Sequence, residues 1–415
     1  MKYNVVVIGA NYGDEGKGRC VRWTLRDFLY IRKRISSKDE AIVIKHNGGS
    51  QAGHTSEGFV YHAYGSADVE TYLSPEFIIN PRSIMAEQMA LTVKRQTLPP
   101  KLYIHENCRV STPIDILCNH VIETVRAGGK HGSCGMGIYA TITRSKTINT
   151  TVKTLLDKSK RNKITNKLVL YYKGYEDAIR FIPEQYQDLD LYRMMDDFYN
   201  EFDKLMEDSR VEVITIDKEY DLLQNKNLRI FETGQGLLLD KDCKESFPHV
   251  TPSHTNYINP ANIICRCDLY KDSFTYPVYC TRPYITKHGA GKLEDQITID
   301  SMKYDTTNVH NEWQGSIRAA YMDLDALLDR VQKDYKCLKS SIEYCIAPGE
   351  LAVSKPFLFI SWADHFKGFV TKESRDMSFN KSLEKKNYDI GIWNKYEIDK
   401  GICTDTEIRV RDSNR

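Results

Sequence analysis

The sequence predicts an α/β fold: a large, mainly parallel central sheet with helical subdomains. Three observations predict it. Short apolar, β-branched runs alternate with helical stretches, the pattern of strands joined by crossover helices. Most of the glycine-rich strings come immediately after such a run, where open parallel sheets bind their ligands. The first run, MKYNVVVI at residues 1–8, feeds straight into GANYGDEGKGR at 9–19.

That loop is a phosphate-cradling arrangement. Glycines let several backbone N–H groups converge on one anion, and Lys17 adds a mobile positive charge. The helix predicted next, CVRWTLRDFLYI, turns its positive dipole end to the same place. The ordinary P-loop has a hydroxyl after its lysine; here Gly18 follows Lys17. The hydroxyl is the usual magnesium ligand, and Asp14, a hard carboxylate inside the loop, is the substitute.

A second strand, EAIVIK at 40–45, runs into HNGGSQAGHT at 46–55. Residues 59–64 read as another short strand, 84–95 as an amphipathic helix, 102–104 as a strand and 115–127 as a helix. AGGKHGSCGMGIYATITRS at 127–145 is a glycine-rich loop. From about 151 to 223 the chain reads as a helical insertion with a solvated charged face. LRIFE at 228–232 is a buried strand ending at TGQG, followed by FPHVTPSHT at 247–255. PVYC at 277–280 leads to TRPYITKHGAG, then NEWQGSIR at 311–318, a helix at 324–334, and a last strand at 357–361 ending in SWAD. From about 367 to 415 the chain is polar and carries no strong signal. The whole reads as one domain over 1–415.

Composition excludes several functions. A net charge of +2 implies no field for nucleic acid or acidic membranes. No apolar run reaches the roughly 18–20 residues that span a bilayer, and the N-terminus lacks the order of a signal peptide. The eleven cysteines are scattered, which suits reduced thiols in a cytosol. Cys265 and Cys267 are too close and isolated for a metal site. His131, Cys134 and His288 read as structural.

Four strings in order, GDEGKG, GGSQAGHT, ETGQG and VTPSHT, followed by TRPYITKHGAG and NEWQG, resemble the adenylosuccinate synthetases over about residues 3 to 365. The family's first loop reads GxxWGDEGKGK, with Tyr12 here in place of Trp. The resemblance implies a P-loop-like ligase fold and a cytoplasmic homodimer. It also implies one reaction: GTP phosphorylates O6 of IMP, and the amine of L-aspartate then displaces the phosphate to give adenylosuccinate. Asp14 is implied as the base at N1, His54 as the acid near O6, and Lys17 as a cation on the γ-phosphate. Mg²⁺ is implied on Asp14 and the Gly53 carbonyl. Gly13, Glu15, Gly16 and Gly18 fall in the phosphate loop, and Gln51 and Thr55 flank the second one. Gln235 is implied near the base, Thr251 at the 5′-phosphate, and Arg144 in the partner subunit's nucleotide site. Arg318 stands for the arginine of the amino-acid loop, and Asp364 for the carboxylate that reads guanine.

The chain also departs from the family. Gln51 replaces an Asn, the loop near Cys134 lacks a Thr-Thr pair, Trp362 stands where a lysine precedes the guanine-reading Asp, and after NEWQG only SIRAAYMD remains of a longer arginine-rich loop. No C-terminal SxGPxR stretch is visible. The trimming is similar to the archaeal and phage branch, some of whose members act on dGMP. IMP is favoured because Asp14 is kept. The alternatives are the same chemistry on dGMP with GTP or ATP as donor, and an inactive nucleotide-binding homologue.

Overall fold

Side chains alternate along the first strand: Tyr3, Val5 and Val7 face one way, Val6 and Ile8 the other, and all are buried. A strand apolar on both sides belongs in the middle of a sheet covered on both faces. The computed structural model places it there, and describes residues 2–28, 40–50, 53–56, 59–126, 133, 135–175, 179, 184, 188–299, 310, 315–346, 352–362, 366, 368–372 and 391–393.

Among the described residues the central sheet has nine strands: β1 (Lys2–Gly9), β2 (Ala41–Lys45), β3 (Glu70–Leu73), β4 (Leu102–His105), β5 (Val211–Ile214), β6 (Leu228–Gly236), β7 (Ser273–Thr281), β8 (Phe357–Ile360) and β9 (Gly391–Trp393). Their spatial order is β9-β8-β7-β1-β6-β2-β3-β4-β5. Every pairing is parallel. The helices are α1 (Lys17–Trp23), α2 (Pro81–Arg95), α3 (Pro113–Val125), α4 (Ile138–Ser145), α5 (Val152–Leu156), α6 (Arg161–Lys173), α7 (Leu191–Glu207), α8 (Ile216–Gln224), α9 (Ile258–Arg266) and α10 (Leu324–Glu343). Cys20, Val21 and Trp23 of α1 close one face of the sheet. Ala261 and Ile264 of α9 and Leu327, Leu328, Val331 and Leu338 of α10 close the other. A separate apolar core joins α2, α3, α6 and α7.

The predicted helix over 20–31 begins earlier, at Lys17, and turns π-helical at Thr24–Phe28. Thr24 Oγ1 donates to the Cys20 carbonyl at 2.8 Å there, a bond that competes with the regular ladder. The strand expected at 59–64 is shorter, Phe59–Tyr61, and pairs antiparallel with His54–Ser56 outside the main sheet. The stretch read as helical from 151 to 223 also holds a strand: VEVI, the edge strand β5. A four-residue strand interrupted by Glu212 carries too little periodicity to be told from helix. ETYL (β3) was missed for the same reason. In the polar C-terminal stretch, Gly391–Trp393 adds to β8 as an edge strand.

Helix starts follow their capping chemistry. Thr112 and Asp115 form a reciprocal capping box ahead of α3, and Asn80 accepts from Ser83 N ahead of α2. Within α2, the buried carboxylate of Glu87 accepts the backbone N–H groups of His62 (2.9 Å), Ala63 (2.7 Å) and Tyr64 (3.2 Å). This fixes the segment that leads out of the 54–61 ribbon. Burial pushes the Glu87 carboxyl up to about 7 against those N–H groups. Its unfolded value lies near the ordinary carboxylate range, so the folded state holds the extra proton between about 4.5 and 7, and stability falls as pH rises through that window. Glu87→Gln cannot ionise. The wild-type advantage over Glu87→Gln in denaturant midpoint is therefore expected to shrink from pH 5 to 8; a gap that widens with pH would contradict it.

Candidate active site

The carboxyl ends of four adjacent strands meet at one corner. Gly9 at the end of β1 lies in register with Gly236 of β6 and Cys280 of β7, and Thr281 of β7 with Ile360 of β8. The glycine loop leaves β1 there and closes into α1. Gly13 takes φ +106°, and a Cβ on it would stand 2.9 Å from Gln235 Oε1. Gly16 takes φ +84°, and a Cβ on it would stand 2.6 Å from Ser361 Cβ. Both positions require glycine on conformation and on space. No side chain caps α1, which Gly16 precedes.

The loop is held from within and from outside. Glu15, expected among the phosphate-binding residues, turns its carboxylate into the loop. Oε1 accepts Asn11 N and Asn11 Nδ2, both at 2.8 Å, and Oε2 accepts Gly13 N at 3.2 Å. Its side chain is thereby committed to the shape of the loop. Burial pushes its carboxyl up to about 7, although Lys17 and the Asn11 and Gly13 donors pull the other way. From outside, Arg282 Nε donates to the Asp14 carbonyl at 2.6 Å, and Arg330 Nη2 to Asn11 Oδ1 at 2.6 Å. Thr286 Oγ1 donates to the Gly13 carbonyl at 3.4 Å.

Asp14 adopts φ 55°, a left-handed conformation that aspartate tolerates better than most residues. Its carboxylate is 40% exposed, and Oδ2 lies 3.3 Å from His288 Nε2. His288, read as structural, thus stands against the proposed base. Lys17 begins α1 and is largely buried. Gly18 follows it within the buried first turn. Gln235, at φ 62°, packs over Gly13. Gly53 is exposed at the head of the 54–56 strand, which carries His54 and Thr55 and packs beside α1.

A small antiparallel sheet roofs this corner. Ile285–Lys287 pairs with Arg318–Ala320, which pairs in turn with Gln296–Ile297. Lys287 Nζ sits 4.2 Å from the centroid of the Tyr12 ring. Arg318 Nη2 donates to the carbonyls of Gly289 (2.8 Å) and Gly291 (3.0 Å). Gly291 in turn packs against the His249 ring, on the 247–255 stretch that contains Thr251. Thr251 donates its N–H to the Leu239 carbonyl at 2.9 Å, and its hydroxyl lies 3.4 Å from Ser253 Oγ. Asp14, Lys17, Gln235, Arg318 and Thr251 therefore belong to neighbouring segments. Gln51 and Asp364 lie outside the described residues, as do His131 and Cys134.

Arg144 does not join them. It was expected to reach a partner subunit's nucleotide, and its side chain is fully buried. Nε and Nη2 grip both carboxylate oxygens of Asp115, at 3.0 and 2.7 Å. Nη1 donates to the Ile148 carbonyl and Thr150 Oγ1, and Nη2 also to the Val110 carbonyl. Every donor is used inside its own chain.

Sequence reasoning passed over Arg282, Arg330, Thr286 and Lys287 as individuals. The string TRPYITKHGAG carried three of them. Arg330, within α10, had no local signal, because its partner lies 319 residues away. For a metal, Asp14 offers an accessible hard oxygen and Gly53 an exposed backbone position. Among the described residues, Asp240, Asp242 and His254 form a separate group with ligand atoms within 4.8 Å of one another. Asp240 already accepts Thr255 N at 2.7 Å and Asp242 N at 3.0 Å. No helix among the described residues is long and apolar enough to cross a membrane.

Comparison with known proteins places the chain. It is 29% identical over 271 residues to an adenylosuccinate synthetase of Lactiplantibacillus plantarum, covering 60% of this chain and 56% of that protein. It is 28% identical over 264 residues to one from Synechocystis sp., covering 61% of this chain and 54% of that protein. The chain thus spans little more than half the length of these relatives. In three dimensions it is similar to a fully ligated adenylosuccinate synthetase of Plasmodium falciparum, with a TM-score of 0.59 at 19% identity, covering 86% of this chain and 76% of that one. That likeness concerns the fold. The family model for adenylosuccinate synthetase matches residues 6–327, most of the chain, and the chain belongs to that family.

Proposed function

We propose that this chain joins L-aspartate to C6 of a purine nucleotide, IMP in the first instance, with GTP as phosphoryl donor. The observation that carries the reading is Asp14: a half-exposed carboxylate in a left-handed turn, its carbonyl held by a buried arginine, at the carboxyl ends of the central strands. A carboxylate so presented can take a proton from a bound lactam without the loop rearranging.

In the first step Asp14 takes the N1 proton, and O6, now anionic, attacks the γ-phosphorus. The nucleoside diphosphate leaves with the bridging oxygen's electron pair. In the second, the aspartate amine attacks C6 and the O6-phosphate departs. Lys17 neutralises charge on the transferring group, and His54 supplies the proton toward the O6–phosphate oxygen. Glycine N–H groups of the loop hold phosphate oxygens. Gln235 and Thr251 orient the nucleotide at its base and its 5′-phosphate. Asp14 and the Gly53 carbonyl are suited to hold Mg²⁺, which would supply charge neutralisation at the phosphates.

The test is direct. The protein is incubated with aspartate, Mg²⁺ and each pairing of IMP, dIMP, GMP or dGMP with GTP or ATP, and succino-product is followed by its absorbance shift. Product is expected with IMP and GTP, and is lost when the metal is chelated. Product with dGMP alone would move the reading to the alternative substrate; product from no pairing would leave a nucleotide-binding homologue.

A further inference from the structure

Away from the candidate active site, two free thiols meet between helices. Cys265 stands one residue before the end of α9, and Cys345 two residues past the end of α10. Their Sγ atoms are 2.9 Å apart, although 80 residues of chain separate them. Both also lean on one acceptor, the Ser341 carbonyl, at 3.6 and 3.5 Å. The backbone on each side is fixed by packing. Ile263, Ile264 and Cys267 around Cys265 are buried, as is Ile342, whose carbonyl accepts the Cys345 N–H at 3.0 Å. Two sulfurs held this way face each other at a far higher effective concentration than free thiols do.

The two are not equivalent. Burial pushes the Cys265 thiol up to about 12, with Cys345 and then Asp268 acting in the same direction. Cys265 therefore stays protonated, and a protonated thiol is a poor first target for an oxidant. Cys345 follows Tyr344, which is 92% exposed, at the open side of the pair.

We propose that Cys265 and Cys345 form a dithiol site for hydroperoxides, closed on oxidation into a disulfide that clasps α9 to α10. The Cys345 sulfur attacks the terminal peroxide oxygen and the O–O bond breaks. Cys345 becomes a sulfenic acid, and water or the alcohol leaves. The Cys265 sulfur then attacks the Cys345 sulfur; the S–S bond forms, the S–O bond breaks, and the departing hydroxyl takes the thiol proton as a second water. The pair gives up two electrons and two protons, and the peroxide is the species reduced. Oxidation of Cys345 also removes a neighbour that helps to keep Cys265 protonated, so the first step prepares the second.

The clasp would tie the ends of two helices whose earlier turns hold the glycine loops. Asn259 of α9 donates to the His46 carbonyl at 2.7 Å, and Arg330 of α10 to Asn11 at 2.6 Å. Closing so long a loop also restricts the unfolded chain, which stabilises the folded one. The inference does not rest on the ligase reading.

The full chain is treated with roughly stoichiometric hydrogen peroxide, alkylated, and digested without reductant, with unfolding temperature measured before and after treatment. A peptide pair joined through Cys265 and Cys345 is expected, lighter by two hydrogens than its parts and released by dithiothreitol. Unfolding temperature should rise by a few degrees and fall back on reduction. Cys337→Ser, which removes an exposed thiol of α10, should keep both results. Cys345→Ser and Cys265→Ser should lose both, and in Cys265→Ser the Cys345 sulfenic acid should persist long enough to be trapped by dimedone. The proposal is overturned if both thiols remain alkylatable, if Cys337 is oxidised in their place, or if the joined pair forms with no rise in unfolding temperature. The peptide map needs only the wild-type chain, so a serine variant that fails to fold does not remove the test.

Discussion

Asp14→Asn is expected to abolish formation of the succino-product while leaving nucleotide binding within a few-fold of wild type. Asparagine tolerates the same left-handed backbone, so the loop keeps its shape and its carbonyl stays available to Arg282. What is lost is the proton acceptor. Positioned general bases contribute about 10²- to 10⁴-fold, and a neutral O6 is a poor nucleophile, so the loss should lie at or beyond the upper end. Single-turnover assays with saturating nucleotide separate chemistry from affinity. A variant turning over within about tenfold of wild type would remove Asp14 from the base role. His288 is the first residue to examine in that event, because its Nε2 lies 3.3 Å from the same carboxylate.

The N-terminal loop was legible because its signals are local. A β-branched run, two glycines at positive φ and a lysine opening a helix all lie within some twenty residues, and each has one physical meaning. What the loop rests on was not legible. Arg282 and Arg330 reach it from just past strand β7 and from helix α10, and nothing near either residue in sequence names a backbone carbonyl or an Asn11 as its partner. Glu15, expected among the phosphate-binding residues, shows a related limit. Neighbouring acids in a glycine loop carry no signal of direction, and here the two side chains diverge: Asp14 projects outward, and Glu15 folds back onto the N–H groups of Asn11 and Gly13. Alternation of burial, which separates faces along a strand, has no counterpart in a turn. In the sheet, the long apolar runs announced themselves, while β3, β5 and β9, each three or four residues long, did not. Their place is set by pairing with β2, β4 and β8 rather than by their own periodicity.

Arg144→Met is expected to lower stability by about 3–5 kcal/mol, the usual cost of removing one partner from a buried ion pair. The reason lies in Asp115. One of its oxygens accepts both the N–H and the hydroxyl of Thr112, which start α3, and both oxygens accept from Arg144. Without the guanidinium, a fully buried carboxylate keeps its capping bonds but loses its counter-charge, the Ile148 carbonyl loses its arginine donor, and the Val110 carbonyl is left with the Thr150 hydroxyl. Chemical denaturation reads this directly. An arginine serving a partner subunit's nucleotide would give the opposite pattern, with an unchanged denaturation midpoint and a raised KM for nucleotide. A double change, Arg144→Met with Asp115→Asn, sharpens the distinction. It removes the orphaned charge while leaving the carbonyl oxygen able to accept the Thr112 N–H, so part of the lost stability should return. Recovery of that kind can come only from a pair whose work is done inside one chain.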